Sequence, residues 1–368
     1  MNEVWEMDDL FSLVRDPKRR TGERKMANRH SKGDLEQMQS LPLKIKITMT
    51  ERRIFDWYEY WGGDVYLSFS GGKDSTVLKH IIDNMGINVP SVFVNTGLEY
   101  PEIQKFAMSQ ENVTVVRPKM MFTEVLKQYG YPIISKEVSQ CIKEARGKTD
   151  GFQYRKLFGL RKNEDGTDST WNLERYKWLY DAPFNISSKC CDVMKKAPAK
   201  KYEKETGRKP IIATMAEESR LRKTKWLQQG CNSFDSKRPT SKPMSFWTEQ
   251  DVLHYIKEKN VPYCSVYGDI RIKPQSQEDE NQITFGEYLN RYDGEMLETT
   301  GYSRTGCMFC MFGAHLDKCP NRFQRMMNTH PRQYEYCIGG GEMVDGKWQP
   351  NKQGLGLGFV LDYIRVKY

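Results

Sequence analysis

Long apolar runs are missing from this chain. No uninterrupted stretch comes near the roughly 18 residues that span a bilayer. The opening MNEVWEMDDL holds four acidic residues and no apolar core, which excludes a secretory signal there. There is no internal repeat and no low-complexity tract. A disulfide framework is not expected either: the nine cysteines are odd in number, two are adjacent, and no secretory signal accompanies them. These absences set the expectation of a soluble, cytoplasmic protein with no membrane partner. What is present argues against a disordered chain. Aromatic residues make up 12%, with 20 Tyr and 8 Trp, despite a mean hydropathy of -0.73. At 368 residues the chain suffices for one large domain or two ordinary ones.

Charge is uneven. Lys and Arg number 57 against 48 acidic residues, a formal +9. Eight basic residues face two acidic ones between Arg15 and Lys32, and eleven face four between Lys195 and Lys225, net +6 and +7. Such stretches suit polyanions, either a nucleotide phosphate or a nucleic-acid backbone; a solvated helical face is the alternative.

Residues 1–50 read as a basic N-terminal extension with a short amphipathic start (Val4, Trp5, Leu10, Phe11, Val14). After Pro42 the alternation Leu-Lys-Ile-Lys-Ile predicts an extended segment, and from Thr48 a helical pattern runs to Gly62-Gly63. Then the period changes. Residues 65–69 form a short apolar run, the profile of a buried parallel strand, and Thr76–Met85 repeats its apolar residues at steps of three and four, the profile of a helix. Residues 91–95 and 113–116 give two more strands, and 210–214 a fourth. A helix to Lys257 is expected to be capped at Thr248, with Asp251 three residues on. Strands alternating with helices at this spacing imply right-handed crossovers and a parallel sheet with helices on both faces. Residues 51–260 thus predict an α/β domain interrupted by an insertion at about 150–185, and 261–368 a loop-rich, cysteine-containing C-terminal region.

Ser70-Gly71-Gly72-Lys73-Asp74-Ser75 lies between the first strand and its helix. Two glycines let backbone approach an anion, N–H groups at a helix start point at it, and Lys73 adds a point charge. The spacing is not that of a Walker A loop. In this context the run resembles the PP-loop signature of adenine nucleotide α-hydrolases. Three more segments narrow the resemblance to the phosphoadenosine phosphosulfate (PAPS) reductase family: Val92 to Gly97 followed by Glu99-Tyr100-Pro101-Glu102, Glu218-Ser219-Arg220 with Arg222, and Trp247-Thr248 with Asp251-Val252 and Tyr255-Ile256. Asn95 replaces the family's usual Asp, and Met215 stands where the family usually has Arg. The resemblance covers about residues 60 to 315 and implies an adenine nucleotide α-hydrolase-like (HUP) fold. It also implies that Ser70, Gly71, Gly72, Lys73, Asp74 and Ser75 hold nucleotide phosphates, with Asn95, Thr96, Glu218, Ser219, Arg220 and Arg222 around the rest. Lys73 is the expected main cation; Asp74 either caps the helix or helps hold Mg²⁺.

Cys190-Cys191 and the distant Cys307-x-x-Cys310 together supply four sulfur ligands, enough for a cluster or a zinc ion. The arrangement is similar to the 4Fe-4S site of the family's iron–sulfur branch, with zinc as the alternative and Cys319 as a substitute ligand. Two reactions fit the resemblance. One is a sulfonucleotide reductase, which takes adenylyl sulfate or PAPS and a thioredoxin-like reductant. The family's nucleophile motif Glu-Cys-Gly-Leu/Ile-His is absent, and Cys337 is the one cysteine beyond the cluster region. The other is AMP-forming ATP pyrophosphatase chemistry with Mg²⁺, as in the similar enzymes of DNA phosphorothioation systems; Gly130-Tyr131-Pro132 with Ser135-Lys136 also looks like that subgroup. There a sulfur donor such as a cysteine desulfurase and a nucleic-acid acceptor are the expected partners. A non-catalytic nucleotide-binding regulator is the third reading.

Overall fold

The computed structural model describes residues 29–274 and 295–368. The amphipathic start, most of the first basic stretch and part of the acidic segment after residue 268 lie outside the described residues.

The first long helix is α1, Leu43–Tyr60. The Leu-Lys-Ile-Lys-Ile alternation is therefore helical, not extended. Pro42 sits at the N-cap, and the buried side chains fall at 43, 46, 49, 50, 54 and 57, a helical spacing that outweighs the local period of two. Lys46 is one of the inward residues, fully buried against Asp251. A local pattern could not reveal that partner.

After α1 come β1 (Val65–Phe69), α2 (Lys73–Asn84), β2 (Ser91–Val94), α3 (Pro101–Ser109) and β3 (Val113–Val116). Helix α2 starts three residues earlier than its apolar pattern indicates, so its first turn belongs to the glycine loop. Next are β4 (Ile133–Ile134), α4 (Lys136–Gly147), α5 (Ala197–Thr206), β5 (Lys209–Ile212), α6 (Arg220–Gln229), β6 (Asn232–Ser233), β7 (Thr240–Ser241) and α7 (Glu249–Lys259). One six-stranded sheet runs β3-β2-β1-β5-β7-β6. All its pairings are parallel except β6 with β7. The chain builds outward from β1 to β3, then returns to β5 on β1's other side. Ligands in open α/β sheets bind beyond the carboxyl ends of strands at such a reversal, here between the loops after β1 and β5.

A core around this sheet joins Ile54 and Trp57 of α1, Val77, Leu78 and Ile81 of α2, and Trp247 and Val252 near α7. A second core gathers β4, α4 and the C-terminal helices α8 (Arg322–Thr329), α9 (Pro331–Ile338) and α10 (Leu357–Tyr363). Within it β8 (Met311–Phe312) pairs in parallel with β4. Among the described residues no helix is long and apolar enough to cross a membrane.

Candidate functional site

Gly71 takes φ +73°, and a Cβ there would lie 3.1 Å from Ile103 and Ala107 of α3, so the turn after β1 needs glycine on both counts. Ser75 folds back and ties the loop together: its hydroxyl accepts from the Ser70 N–H at 3.2 Å, donates to the Gly72 carbonyl at 2.9 Å and contacts the Ser70 hydroxyl at 3.0 Å. The helix begins at Lys73 with Gly72 at the N-cap and no side-chain cap. Of the two roles expected of Asp74, capping is thus not the one its side chain performs.

Instead, carboxylates gather round Lys73, whose side chain is 3% exposed. Its Nζ lies 3.1 Å from Glu249 and 3.4 Å from Asp74 and donates to the Ser303 carbonyl at 3.0 Å. Burial alone would lower the pKa of this ammonium; Asp74, Glu249 and Tyr267 outweigh it and raise the value. The Asp74 carboxyl is pushed up, first by burial and then by Glu218 and Glu249, with Lys73 opposing. Its buried Oδ1 has no hydrogen-bond partner among the described residues. Glu217 is pushed up to about 7, chiefly by burial and then by Glu249 and Asp251. It accepts the Glu249 N–H at 2.5 Å.

Lys73, Asp74 and Glu249 line a pocket of about 90 Å³ at the sheet reversal. Ser70, Gly72, Lys73 and Asp74 come from the loop after β1, Met215 and Glu218 from the loop after β5, and Glu249 from the start of α7. Tyr267, Arg304 and Thr305 close it from the C-terminal region. Met215, standing at the family's Arg position, is 2% exposed and offers the pocket no charge. Helix α7 is held by the expected cap: Thr248 accepts from the Asp251 N–H and Asp251 from the Thr248 N–H. Lys46 fixes that cap from below, 2.8 and 2.7 Å from the two Asp251 oxygens.

The other expected residues divide. Glu218 pairs with Arg222 and accepts the Met215 N–H at 2.9 Å, while Ser219 caps α6. Arg220 is exposed at the start of that helix. At the end of β2, Asn95 accepts the Gly97 N–H and Thr96 donates to Glu99 at 2.8 Å. Glu99 points toward the cysteines rather than the loop. It sits 3.7 Å from Lys195, whose pKa is raised against burial by Cys307, Glu99 and Cys191.

Two backbone pairings bring the four cysteines together. Tyr131 donates its N–H to Asn185, which lays the segment before Cys190 beside β4; β8 then sets Cys307 and Cys310 on the same side. Gly130 permits the first approach: at φ +101°, a Cβ there would lie 2.3 Å from the Asn185 backbone. Cys190 donates to the Cys191 sulfur at 3.9 Å, and its own pKa is raised by Cys191, by burial, and by Cys310 and Cys307. That hydrogen bond, with Lys136 and Lys195 beyond it, pulls Cys191 down despite burial. Among the described residues no group of three or more His, Cys, Asp or Glu is drawn together as a single-ion site. Cys319 is exposed, whereas Cys337 is fully buried and its thiol is pushed well up by desolvation.

Sequence reasoning missed Glu249, Glu217, Tyr267, Arg304 and Lys195. Glu249 and Glu217 flank segments already singled out, and Arg304 lies three residues before Cys307; the signal was adjacency to a motif. Tyr267 carried none.

A mainly parallel α/β sheet with a glycine loop at its strand reversal defines an open, doubly wound α/β fold in class. The model of the phosphoadenosine phosphosulfate reductase domain matches residues 64–138 and 153–312, more than half of the chain, and the chain belongs to that family. A crystal structure of phosphoadenylyl-sulfate (PAPS) reductase from Candida auris, a phosphate complex, is similar at 16% identity and a TM-score of 0.34. That likeness covers 64% of this chain and 90% of that one. No curated protein matches.

Proposed function

We propose that this chain is an AMP-forming ATP pyrophosphatase that activates an acceptor for sulfur transfer. The observation that carries the reading is the set of carboxylates in the Lys73 pocket: Asp74 and Glu249 adjoin Lys73, Glu218 shares the lining, and the positive charge comes from Lys73 and Arg304. Three carboxylates repel a bare sulfate or phosphate. They suit a polyphosphate accompanied by Mg²⁺, for which Asp74, whose Oδ1 accepts no hydrogen bond among the described residues, is the first candidate ligand. In the reaction, an acceptor oxygen attacks the α-phosphorus, the bond to the β-phosphate oxygen breaks, and pyrophosphate leaves with the electron pair. The loop N–H groups and Lys73 stabilise the charge growing on the phosphate oxygens. The persulfide sulfur of a donor, a cysteine desulfurase in the similar systems, then attacks the adenylated acceptor and AMP leaves; a thiol reductant cleaves the disulfide so formed and leaves the sulfur on the acceptor.

Cys190, Cys191, Cys307 and Cys310 would hold a 4Fe-4S cluster. Adjacent cysteines reach two irons of one cubane more readily than one zinc ion, and Lys136 and Lys195 offset thiolate charge. When bound, the cluster would supply a place to carry or position sulfur. Exposed Lys200, Lys201, Lys204, Arg220 and Lys225 favour a nucleic-acid acceptor.

The competing reductase needs a cysteine thiolate to attack the sulfur of adenylyl sulfate. Cys337, buried in the second core, is unsuited to that. Anaerobically purified protein given ATP–Mg²⁺ or adenylyl sulfate with thioredoxin tests the choice. Pyrophosphate with AMP, raised by polynucleotide and falling steeply with salt, supports the activating enzyme; sulfite release overturns it. Iron and labile sulfide near four per chain, rather than one zinc, tests the cluster.

A further inference from the structure

The donors that a phosphate group would use are already engaged by the protein itself. The Lys73 N–H, at the first turn of α2, donates to the Tyr267 hydroxyl at 3.2 Å. That hydroxyl shares a hydrogen bond of 2.6 Å with Thr305. The Lys73 ammonium donates to the Ser303 carbonyl at 3.0 Å and lies in ion pairs with Glu249 and Asp74 at 3.1 and 3.4 Å. Tyr267 also lies over the glycine of the loop, since a Cβ on Gly72 would sit 3.1 Å from its hydroxyl. A backbone N–H carries one hydrogen and cannot serve both this hydroxyl and a phosphate oxygen at full strength.

The segment that makes these contacts is tied at both ends and loose between. Gly301 and Tyr302 donate to the Tyr267 and Val266 carbonyls at 2.8 and 3.1 Å, and Met308 donates to the Leu98 carbonyl at 2.8 Å. Between them Ser303, Arg304 and Gly306 are exposed, and the space beside the Gly306 Cα is open. Arg304 lines the phosphate-loop pocket from this segment.

We propose that Ser303–Thr305 is a strap, latched on Tyr267, that competes with nucleotide phosphate for the Lys73 donors and is released when phosphate binds. The inference rests on the loop being the nucleotide site. Release exchanges a carbonyl and a hydroxyl for the phosphate, while Arg304 stays within reach of that charge. Because the strap runs through Gly306 into Cys307, phosphate occupancy reaches the cysteine pair through two residues of backbone.

The test measures ATP affinity by calorimetry and amide hydrogen exchange across 302–306 in the full chain. Tyr267→Phe keeps the ring in the core but removes the hydroxyl that receives the Lys73 N–H; Thr305→Val removes the latch from the strap side. Both variants are expected to bind ATP about threefold to tenfold more tightly, the worth of one freed hydrogen bond. ATP is expected to speed exchange at 302–306 in the wild type, and both variants to exchange fast without it. Unchanged or weaker ATP binding in either variant, or wild-type exchange that ATP does not speed, overturns the strap and leaves the loop a nucleotide site. Wild-type protein that binds no ATP overturns both.

Discussion

Replacing Lys46 by Met removes the cation from a fully buried pair and leaves Asp251 with its charge and no ammonium. Both side chains are 0% exposed, and Lys46 also donates to the Gln39 carbonyl at 2.6 Å. Breaking one partner of a buried pair costs about 3–5 kcal/mol, mostly the penalty of the charge left behind. Urea unfolding of Lys46→Met should therefore show a lower midpoint at unchanged slope. The double variant Lys46→Met/Asp251→Asn removes the stranded charge while Asn can still accept the Thr248 N–H, so it should recover at least half of the loss. ATP affinity should fall in the single variant as well, because Asp251 caps the helix whose first residue, Glu249, reaches Lys73. A cost below about 1 kcal/mol, or a double variant no more stable than the single, refutes the reasoning.

Gly130→Ala should lower iron and sulfide content together with stability, by about 2 kcal/mol or more, because φ +101° and the Asn185 backbone both exclude a side chain; metal analysis and urea unfolding check it. Cys190→Ser and Cys307→Ser should each abolish the cluster, Cys319→Ser should leave it intact, and Cys337→Ser should cost stability without changing turnover. Glu217 gives a pH signature. Its folded pKa stands raised, at about 7, above the usual 4.5. Its unfavourable contribution is therefore absent below about pH 4.5, grows as pH rises through this window, and is complete above 7. Glu217→Gln should flatten that loss, by no more than about 1 kcal/mol given the side chain's exposure, as urea unfolding from pH 4 to 8 would show.

The sheet was legible wherever a strand carried its own period: β1 and β3 fall at the residues the apolar runs mark, and Thr248–Asp251 announces α7. Two-residue strands such as β4 and β8 carry no period, and only their pairing makes them strands. The Leu43–Ile47 alternation misled because α1 buries a lysine, whose partner is 205 residues away. At the site, the phosphate loop reads from contiguous residues. The carboxylates facing Lys73 do not, since Asp74, Glu218 and Glu249 come from three segments joined only by the fold. The cysteine constellation was legible as two pairs. Its cations were not, because Lys136 and Lys195 stand in separate segments until β4 is laid beside the chain before Cys190.

The most direct test quantifies pyrophosphate and AMP from ATP–Mg²⁺, with polynucleotide as acceptor and sulfide as sulfur donor, for wild-type protein and Lys73→Ala. The account predicts equal amounts of the two products from the wild type and a loss of about a hundredfold or more in the variant, as expected when a main transition-state cation is removed. Pyrophosphate release that survives in Lys73→Ala, or wild-type protein that yields sulfite from adenylyl sulfate and no pyrophosphate from ATP, would contradict it.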